Sequence, residues 1–304
     1  MGIKALILAA GYGSRLRPLT DITPKPLLSY FGPTLLDHAI FRILKSGISH
    51  IAVNTHYLAS QIEEHLSNYR YDQILVSHEP EILGTGGAVN PLREWIGGDH
   101  LLIYNADVIT DIDIRALVDL HLSSNTVATM TLLPQALAGK TPVYASGNLV
   151  STIGEFAPAS SAHTFACAHI LSPTFLQEVP NSEKSEIMVT YKKMLTSHRP
   201  ILWAGHSGIW HDLGSPEDFW GAYRAAFSNM NHYFESLKIE EIRTEIGLGP
   251  SYIDPAKQVF IANGAEISDL TLLDHVVVLP GAKVPTPQRV SYKIMGKNAT
   301  IQIS

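Results

Sequence analysis

Hydrophobic and polar positions follow two different rhythms in the first two thirds of the chain. Apolar runs at Ile3–Ala9 and His100–Asn105 predict buried strands, whereas Leu35–Ser46 and Ile114–Leu122 have the apolar spacing of an amphipathic helix. Gly47, directly after the first helical pattern, is typical of a helix end. Strands that alternate with helices of this length predict βαβ units and a mainly parallel sheet covered on both faces.

The same alternation predicts more elements, and residues 127–172, rich in Thr, Ala, Val and Phe, are expected to add strands, some of them antiparallel. Because ligands bind at the carboxyl ends of parallel strands, we expect functional residues there. The other predicted strands are His50–Asn54 and Gln73–Ser77, and the other predicted helices are Tyr57–Ser67, Gly86–Trp95, Ser182–Ser197 and Asp218–Phe227.

The last fifty residues have a different pattern. Ile261, Ile267, Leu273 and Leu279 fall six residues apart, with Asn-Gly and Pro-Gly turns between them. Such hexapeptide periodicity is typical of a parallel β-helix, and we interpret this segment as a left-handed β-helix stub. A plain antiparallel β tail is the alternative interpretation.

These patterns divide the chain into three parts. We predict a large α/β domain over residues 1–227, a helical linker over 228–254 and the hexapeptide-like β tail over 255–304. The open ends of a short β-helix favour a dimer or a higher assembly formed through the tail.

Composition narrows the class of protein. The chain has 304 residues, of which 45% are hydrophobic and 16% charged, and its net charge is −6. Without a Lys/Arg stripe, nucleic acid is not an expected partner. The single cysteine, Cys167, lies in an apolar run and is expected to be a buried, inert thiol. No apolar run reaches the length of a membrane span or resembles a signal peptide, so we expect a soluble, cytoplasmic protein.

The first predicted strand leads into a loop suited to polyphosphate. Gly11 and Gly13 remove side chains, so that backbone N–H groups can approach phosphate oxygens, and Arg15 adds a planar fork of donors. Lys25 adds a point charge between two prolines that stiffen the segment. A dinucleotide-binding loop would have a third glycine where Leu16 stands, and a P-loop would end in Gly-Lys-Ser/Thr.

Two more segments carry candidate chemistry. Residues 83–88, Leu-Gly-Thr-Gly-Gly-Ala, would give backbone donors at a helix start, suited to an anion or the edge of a base. The apolar strand 101–105 leads to Asp107, a carboxylate at the ligand-binding edge that would be costly without a cation. Mg²⁺ fits, because it prefers one or two carboxylates together with phosphate oxygens and water.

Four motifs together resemble the sugar-1-phosphate nucleotidyltransferase family. Residues 8–28 resemble its LAAGxGxRLxPLT–x–PKPLL signature, and residues 83–88 its L-G-T-[AG]-[GH]-A loop. Ala106-Asp107 stands where the family usually has Gly-Asp, and residues 210–219 resemble W-x-D-x-G-[TS]-P-E-D-F. The resemblance covers residues 3–227 and implies a Rossmann-like, doubly wound mixed sheet of the nucleotide-diphospho-sugar transferase type.

The resemblance implies an NTP and a sugar 1-phosphate as partners, Mg²⁺ as cofactor, and an NDP-sugar and pyrophosphate as products. Within residues 215–218 it places a helix start, with Glu217 and Asp218 as first-turn acids rather than catalysts. The implied site residues are Arg15 and Lys25 for catalysis; Leu8, Ala9, Ala10, Gly11, Gly13, Ser14, Glu79, Gly84, Thr85 and Asn105 for the nucleotide; Glu155 for the sugar phosphate; and Asp107 and Asp212 for the metal.

The substrates stay open at this stage. Glu79 could accept from the two adjacent donors that guanine alone presents, which favours GTP with a mannose or heptose 1-phosphate. Uridylyltransferases for N-acetylmuramate 1-phosphate also carry Glu near this position, so UTP is the alternative. Relatives usually have a lysine after the residue that corresponds to Glu155, and this chain has Phe156.

Two functions of other classes also compete. An inactive NDP-sugar-binding regulator is one, although it would not need all four of Arg15, Lys25, Asp107 and Asp212. A glycosyltransferase with an Asp-x-Asp metal motif is the other. Asp111-Ile112-Asp113 has that form, but a helix N-cap explains it better.

Overall fold

The computed structural model describes residues 2–68, 74–157, 159–181, 184–284 and 289–303. Its strands are β1 (Ile3–Leu8), β2 (Ile51–Thr55), β3 (Ile74–His78), β4 (His100–Asn105), β5 (Val108–Thr110), β6 (Ala128–Leu133), β7 (Pro142–Ser146), β8 (Leu149–Ile153), β9 (Ser161–Leu171), β10 (Ile201–Gly205), β11 (Trp210–Asp212), β12 (Tyr252–Asp254), β13 (Val259–Ile261), β14 (Glu266–Ile267), β15 (Leu273–Val278), β16 (Lys283–Val284), β17 (Val290–Met295) and β18 (Thr300–Gln302). Its α-helices are α1 (Leu35–Lys45), α2 (Ala59–Asn68), α3 (Gly84–Gly87), α4 (Arg93–Ile96), α5 (Ile114–Leu122), α6 (Pro173–Glu178), α7 (Ile187–Thr196), α8 (Pro216–Ser228), α9 (Met230–Leu237) and α10 (Ile239–Glu245).

A mixed sheet forms the centre of the molecule, with the parallel strands that the alternating patterns predicted, but the sheet is not mainly parallel because most of the later pairs are antiparallel. Its strand order is β3-β2-β1-β4-β9-β6-β10-β8-β7. The first four of these strands run parallel, with Leu8 beside both Asn54 and Asn105. β9 runs antiparallel to β4 and β6, so the middle of the chain supplies the antiparallel strands. The register brings the carboxyl ends of β1, β2, β3 and β4 to one edge.

One predicted helix is interrupted. The segment Gly86–Trp95 was expected to be continuous, but it forms α3, a 3-10 turn at Asn90–Leu92 and then α4. Pro91 accounts for the break, because proline has no N–H to donate and its ring clashes with the preceding helical turn. The helix predicted over Ser182–Ser197 begins at Ile187 with Glu186 at its N-cap, and Ser182 lies outside the described residues.

Two acidic stretches start helices, as predicted. The Ser215 hydroxyl accepts from the Asp218 N–H at 3.2 Å, and Pro216 is the first residue of α8. Asp113 accepts from the Ala116 N–H at 2.9 Å, which makes it the N-cap of α5. The N-cap therefore accounts for the second carboxylate of the Asp-x-Asp sequence.

After α8, the chain forms α9 and α10 and then a coil of short strands. β13, β15 and β17 pair in parallel, with Val259 beside Val276 and Val276 beside Lys293, so equivalent positions lie 17 residues apart. β14 and β16 pair in parallel as well, whereas β12 and β18 are antiparallel at the two edges. The left-handed β-helix stub is not confirmed, but the parallel pairing contradicts a purely antiparallel tail.

The tail shares a hydrophobic core with the start of the chain. Leu16, Leu19 and Leu28, which follow the first glycine loop, belong to the same buried cluster as Phe260 and Ile294. Aromatic rings from α8 fill the space between them. None of the helices in the described ranges is long and apolar enough to cross a bilayer.

Candidate active site

A cleft of about 390 Å³ lies at the carboxyl ends of β1, β2, β3 and β4. It is lined by Arg15 and Lys25, by Asp107 and by the whole set predicted to bind the nucleotide: Leu8, Ala9, Ala10, Gly11, Gly13, Ser14, Glu79, Gly84, Thr85 and Asn105. Residues separated by up to a hundred positions are thus brought together by the parallel register.

The loop after β1, residues 9–13, is called the phosphate loop below. A Cβ on Gly11 would meet no protein atom within 4 Å, so the cleft is open above this backbone. Gly13 has a φ of 62°, in the left-handed region, and a Cβ there would stand 3.1 Å from that of Lys25. The backbone conformation therefore requires glycine at position 13. At position 11 no protein atom excludes a side chain, so glycine there would serve only to leave room for a ligand.

Lys25 is the buried cation of the cleft. Its side chain is 8% exposed and donates to Asp107 Oδ2 at 2.6 Å. Pro24 precedes and Pro26 forms part of the short 3-10 turn that carries the lysine. On ligand binding, the Lys25 ammonium can exchange the carboxylate for a phosphate, and the Asp107 carboxylate can exchange the ammonium for another cation.

The segments that carry Asp107 and Asp212 are neighbours, with Asp107 lining the cleft. β5 and β11 form a two-stranded ribbon with Asp212 beside Val108, and the Leu213 N–H donates to the Asp107 carbonyl at 3.0 Å. Asp212 does not line the cleft itself but accepts from the Lys140 ammonium. Each of the two carboxylates is thus paired with a lysine.

The donor set fits a hard cation only together with substrate. Among the described residues no group of three or more His, Cys, Asp or Glu side chains could hold a metal ion. Two neighbouring carboxylates are nevertheless what Mg²⁺ takes from a protein when phosphate oxygens and water complete its shell. The role of Asp107 and Asp212 at a metal stays a prediction.

Arg15 lies across the cleft mouth against the start of the α8 segment. A Cβ on Gly214 would stand only 2.8 Å from Arg15 Nη2 and 3.0 Å from Nη1. The guanidinium occupies this position because residue 214 has no side chain. In the sequence, Gly214 was only one position of the motif at residues 210–219, and its contact with Arg15 was not predicted.

The second glycine loop, residues 83–88, differs from its prediction. The N–H groups of Gly86 and Gly87, expected to face a ligand, donate to the Ser185 carbonyl at 2.8 and 3.0 Å. Thr85 donates to the Glu186 carboxylate at 2.8 Å. A Cβ on Gly84, whose φ is 77°, would stand 2.7 Å from the Ser185 carbonyl oxygen. These glycines therefore allow the segment before α7 to pack closely.

Glu79 is more deeply held than the sequence suggested. Its residue is 1% exposed, Oε1 accepts from Asn54 Nδ2 at 2.7 Å, and Oε2 accepts from the Leu83 N–H at 2.9 Å. Each carboxylate oxygen can accept a second hydrogen bond, so a contact with a base remains open. The visible role of Glu79 is to fix its protein neighbours.

Glu155, predicted for the sugar phosphate, does not line the cleft. It is exposed in the turn after β8, where its carbonyl accepts from the Thr152 hydroxyl. Its role stays a prediction. Lys140 was missed, because it lies in an unremarkable Gly-Lys-Thr turn before β7 and only the tertiary fold brings it to Asp212.

Cys167 lies close to the charges of the floor but has no reactive thiolate. Burial, followed by the nearby carboxylates of Asp107 and Asp212, raises the pKa of its thiol far above the ordinary value. A thiol that stays protonated is a poor nucleophile. The prediction of an inert cysteine agrees with this environment.

Comparisons with known proteins show what this chain is similar to. Residues 4–141 match the sequence model of a family described as nucleotidyl transferase. Mannose-1-phosphate guanylyltransferase catalytic subunit beta of Xenopus tropicalis is 27% identical over 263 residues, covering 83% of this chain and 70% of that protein. N-acetylmuramate alpha-1-phosphate uridylyltransferase of Neisseria meningitidis is 28% identical over 226 residues, covering 70% and 94%.

The fold agrees with this class. A UDP-glucose pyrophosphorylase structure from Acinetobacter baumannii superposes with a TM-score of 0.64 at 18% identity, covering 81% of this chain and all of that one. The fold is thus the mixed α/β fold of the nucleotide-diphospho-sugar transferases. The family match and the curated relatives support a sugar-1-phosphate nucleotidyltransferase, as the four motifs indicated.

Proposed function

We propose that this chain transfers a guanylyl group from GTP to a sugar 1-phosphate, either mannose or a heptose, and releases pyrophosphate. The cleft is the observation that carries the proposal, because all the residues predicted to bind the nucleotide line it together with Arg15, Lys25 and Asp107. An enzyme that transfers a nucleotidyl group needs such a convergence of backbone donors, fixed cations and a carboxylate.

The reaction would be an in-line displacement. A phosphate oxygen of the sugar 1-phosphate forms a bond to the α-phosphorus, and the bond from the α-phosphorus to the bridging oxygen of pyrophosphate breaks. The nucleophile is already anionic at neutral pH, so no general base is required. Catalysis is then positioning and neutralisation of charge.

Each charged residue has a distinct role in this scheme. Arg15 and the phosphate-loop amides hold the β- and γ-phosphates, where pyrophosphate charge develops. Lys25 exchanges its ion pair with Asp107 for contacts to the α-phosphate and the attacking oxygen. Mg²⁺ held by Asp107 and Asp212 would supply further charge neutralisation to the phosphates of both substrates.

The choice of base is the finer part of the proposal. Glu79 lines the cleft, and its oxygens retain capacity to accept from the two adjacent donors of guanine. The guanylyltransferase relative supports GTP, while the uridylyltransferase relative, at nearly the same identity, makes UTP with N-acetylmuramate 1-phosphate the alternative.

Pyrophosphate release tests both levels of the proposal. The assay combines GTP, ATP, CTP, UTP and dTTP with the 1-phosphates of mannose, glucose, N-acetylglucosamine, N-acetylmuramate and a heptose, with magnesium and with EDTA. We expect one metal-dependent pair containing GTP. A pair containing UTP would move the assignment to the uridylyl alternative. No turnover, with an NDP-sugar still raising the melting temperature, would favour the regulatory protein instead.

A further inference from the structure

A short chain of hydrogen bonds joins the two glycine loops of the cleft. The Ala9 N–H, in the phosphate loop, donates to Asn54 Oδ1 at 2.6 Å. Asn54 Nδ2 donates to Glu79 Oε1 at 2.7 Å, and the Leu83 N–H, in the second glycine loop, donates to Glu79 Oε2 at 2.9 Å. Two side chains therefore connect backbone amides that are 74 positions apart in the sequence.

These hydrogen bonds are buried, and each has a fixed donor and acceptor. Asn54 is 4% exposed and Glu79 is 1% exposed, so water cannot easily replace either partner. Each side chain uses both of its polar ends: Asn54 accepts with its oxygen and donates with its nitrogen, so Glu79 must accept with both of its oxygens. Buried hydrogen bonds to a charged group are strong, and a mismatched partner is costly.

A second connection runs parallel to the first. His56 Nδ1 lies 2.8 Å from the Glu79 carbonyl, and its Nε2 lies 3.2 Å from the hydroxyl of Tyr12, in the phosphate loop. Because a carbonyl can only accept, Nδ1 carries the proton. The backbone and the side chain of Glu79 thus both lead back to the phosphate loop.

We propose that Asn54 and Glu79 are positioning residues that fix the two glycine loops relative to each other, so that an occupied base site strengthens the hold on the triphosphate. The inference rests on the proposed function, because it assigns the base to the second glycine loop and the triphosphate to the phosphate loop. It departs from a role for Glu79 in base contact alone.

A reciprocal exchange of side chains tests this coupling. Glu79→Gln leaves an amide donor facing either Asn54 Nδ2 or the Leu83 N–H, and Asn54→Asp sets two carboxylates about 2.7 Å apart. In the double variant N54D/E79Q, the new carboxylate accepts from Ala9 N–H and from the new amide, whose oxygen accepts from Leu83 N–H. Every hydrogen bond and the net charge are then restored, and only the bond between positions 54 and 79 reverses its direction.

The first measurement is steady-state kinetics on the four proteins with the NTP found active. We expect each single variant to raise KM for the NTP at least ~10-fold, and the double variant to return within ~3-fold of the wild type. If a single variant does not fold, the double variant still decides, since it keeps all the bonds. A double variant no better than the worse single one would overturn the proposal.

The second measurement separates coupling from simple structural damage. The nucleoside and inorganic tripolyphosphate represent the two halves of the NTP, and calorimetry gives the affinity for tripolyphosphate with and without the nucleoside. In the wild type the nucleoside should tighten tripolyphosphate binding by ~5-fold or more, in Glu79→Gln it should not, and in the double variant the effect should return. An equal effect in all folded variants would overturn the inference, whereas a wild type that turns over no NTP would overturn the proposed function itself.

Discussion

Replacing Gly214 with alanine should disable the enzyme by moving Arg15. The added Cβ would stand 2.8 Å from Nη2, 3.0 Å from Nη1 and 3.1 Å from Cζ of the guanidinium, whereas ordinary contact begins at 3.4 Å. The guanidinium must therefore retreat by about 0.6 Å from its place at the cleft mouth. The atoms displaced are the far end of an exposed side chain, so the fold has little to lose.

The expected cost falls on turnover and not on stability. A misplacement of about 1 Å at a group that aligns substrate can cost ~100-fold in rate, so a shift somewhat smaller should reduce kcat by ~10- to 100-fold. The free energy of unfolding should change by no more than ~0.5 kcal/mol, because no buried contact is lost. Pyrophosphate release and urea unfolding measure the two quantities separately.

Two further variants make the test specific. Gly221→Ala, on α8 a few residues away, adds a methyl group where nothing lies within 4 Å, and it should stabilise the helix with kcat unchanged. In an Arg15→Ala background, Gly214→Ala should add almost no further loss, because its only route of action is gone. A full additional loss in that background, or normal kcat in Gly214→Ala alone, would refute the reasoning.

Three more outcomes are expected. Asp107→Asn should lower kcat at least ~100-fold with the melting temperature preserved, and near-normal turnover would contradict its role at the metal. Lys140→Met should raise KM for the sugar 1-phosphate ~10-fold and KM for the NTP less than ~2-fold, since its ammonium lies at Asp212, outside the nucleotide cleft; equal rises would contradict this. The free energy of unfolding should fall as the pH drops from 6.5 towards 4, by up to ~1.4 kcal/mol per pH unit for each of the buried histidines His38, His121 and His169. The reason is that these rings bind protons in the unfolded chain but stay neutral in the folded one. Urea unfolding at neutral and acidic pH measures this, and a flat profile would contradict it. Burial lowers the pKa to about 4 for His38 and His121 and to about 3 for His169.

Most of the cleft could be predicted because its residues lie in short segments at strand ends. Asp107 was expected at the carboxyl edge of the sheet and Asn105 was implied by the family resemblance, and the parallel register of β1 and β4 brings both to the phosphate loop. The apolar periodicity predicted the parallel strands of the sheet, whereas its mixed character was implied by the resemblance. Local sequence and strand order together contain this information.

What could not be predicted depends on contacts between distant segments. The Ser185 carbonyl takes the amides that Gly86 and Gly87 seemed to offer a ligand, and nothing near either glycine indicates that. Lys140 reaches Asp212 across 72 positions. The break in the helix at Pro91 is different, because the proline is visible in the sequence and predicts an interruption. The apolar spacing alone wrongly predicted a continuous helix.

The tail bears directly on the site through the turn that carries Arg15. Leu16 is fully buried, Leu19 is 2% exposed, and both lie in the cluster that includes Phe260 and Ile294 from the tail. A Cβ on Gly296 would stand 2.9 Å from Leu19 Cδ2, so the backbone of the coil touches the 3-10 turn that follows the one with Arg15. Burying each leucine contributes about 1.5–3 kcal/mol, and this holds the inner face of a turn whose outer face presents the guanidinium. The position of the Arg15 guanidinium therefore depends on residues more than 240 positions later in the chain. No pattern in the first thirty residues could reveal this dependence.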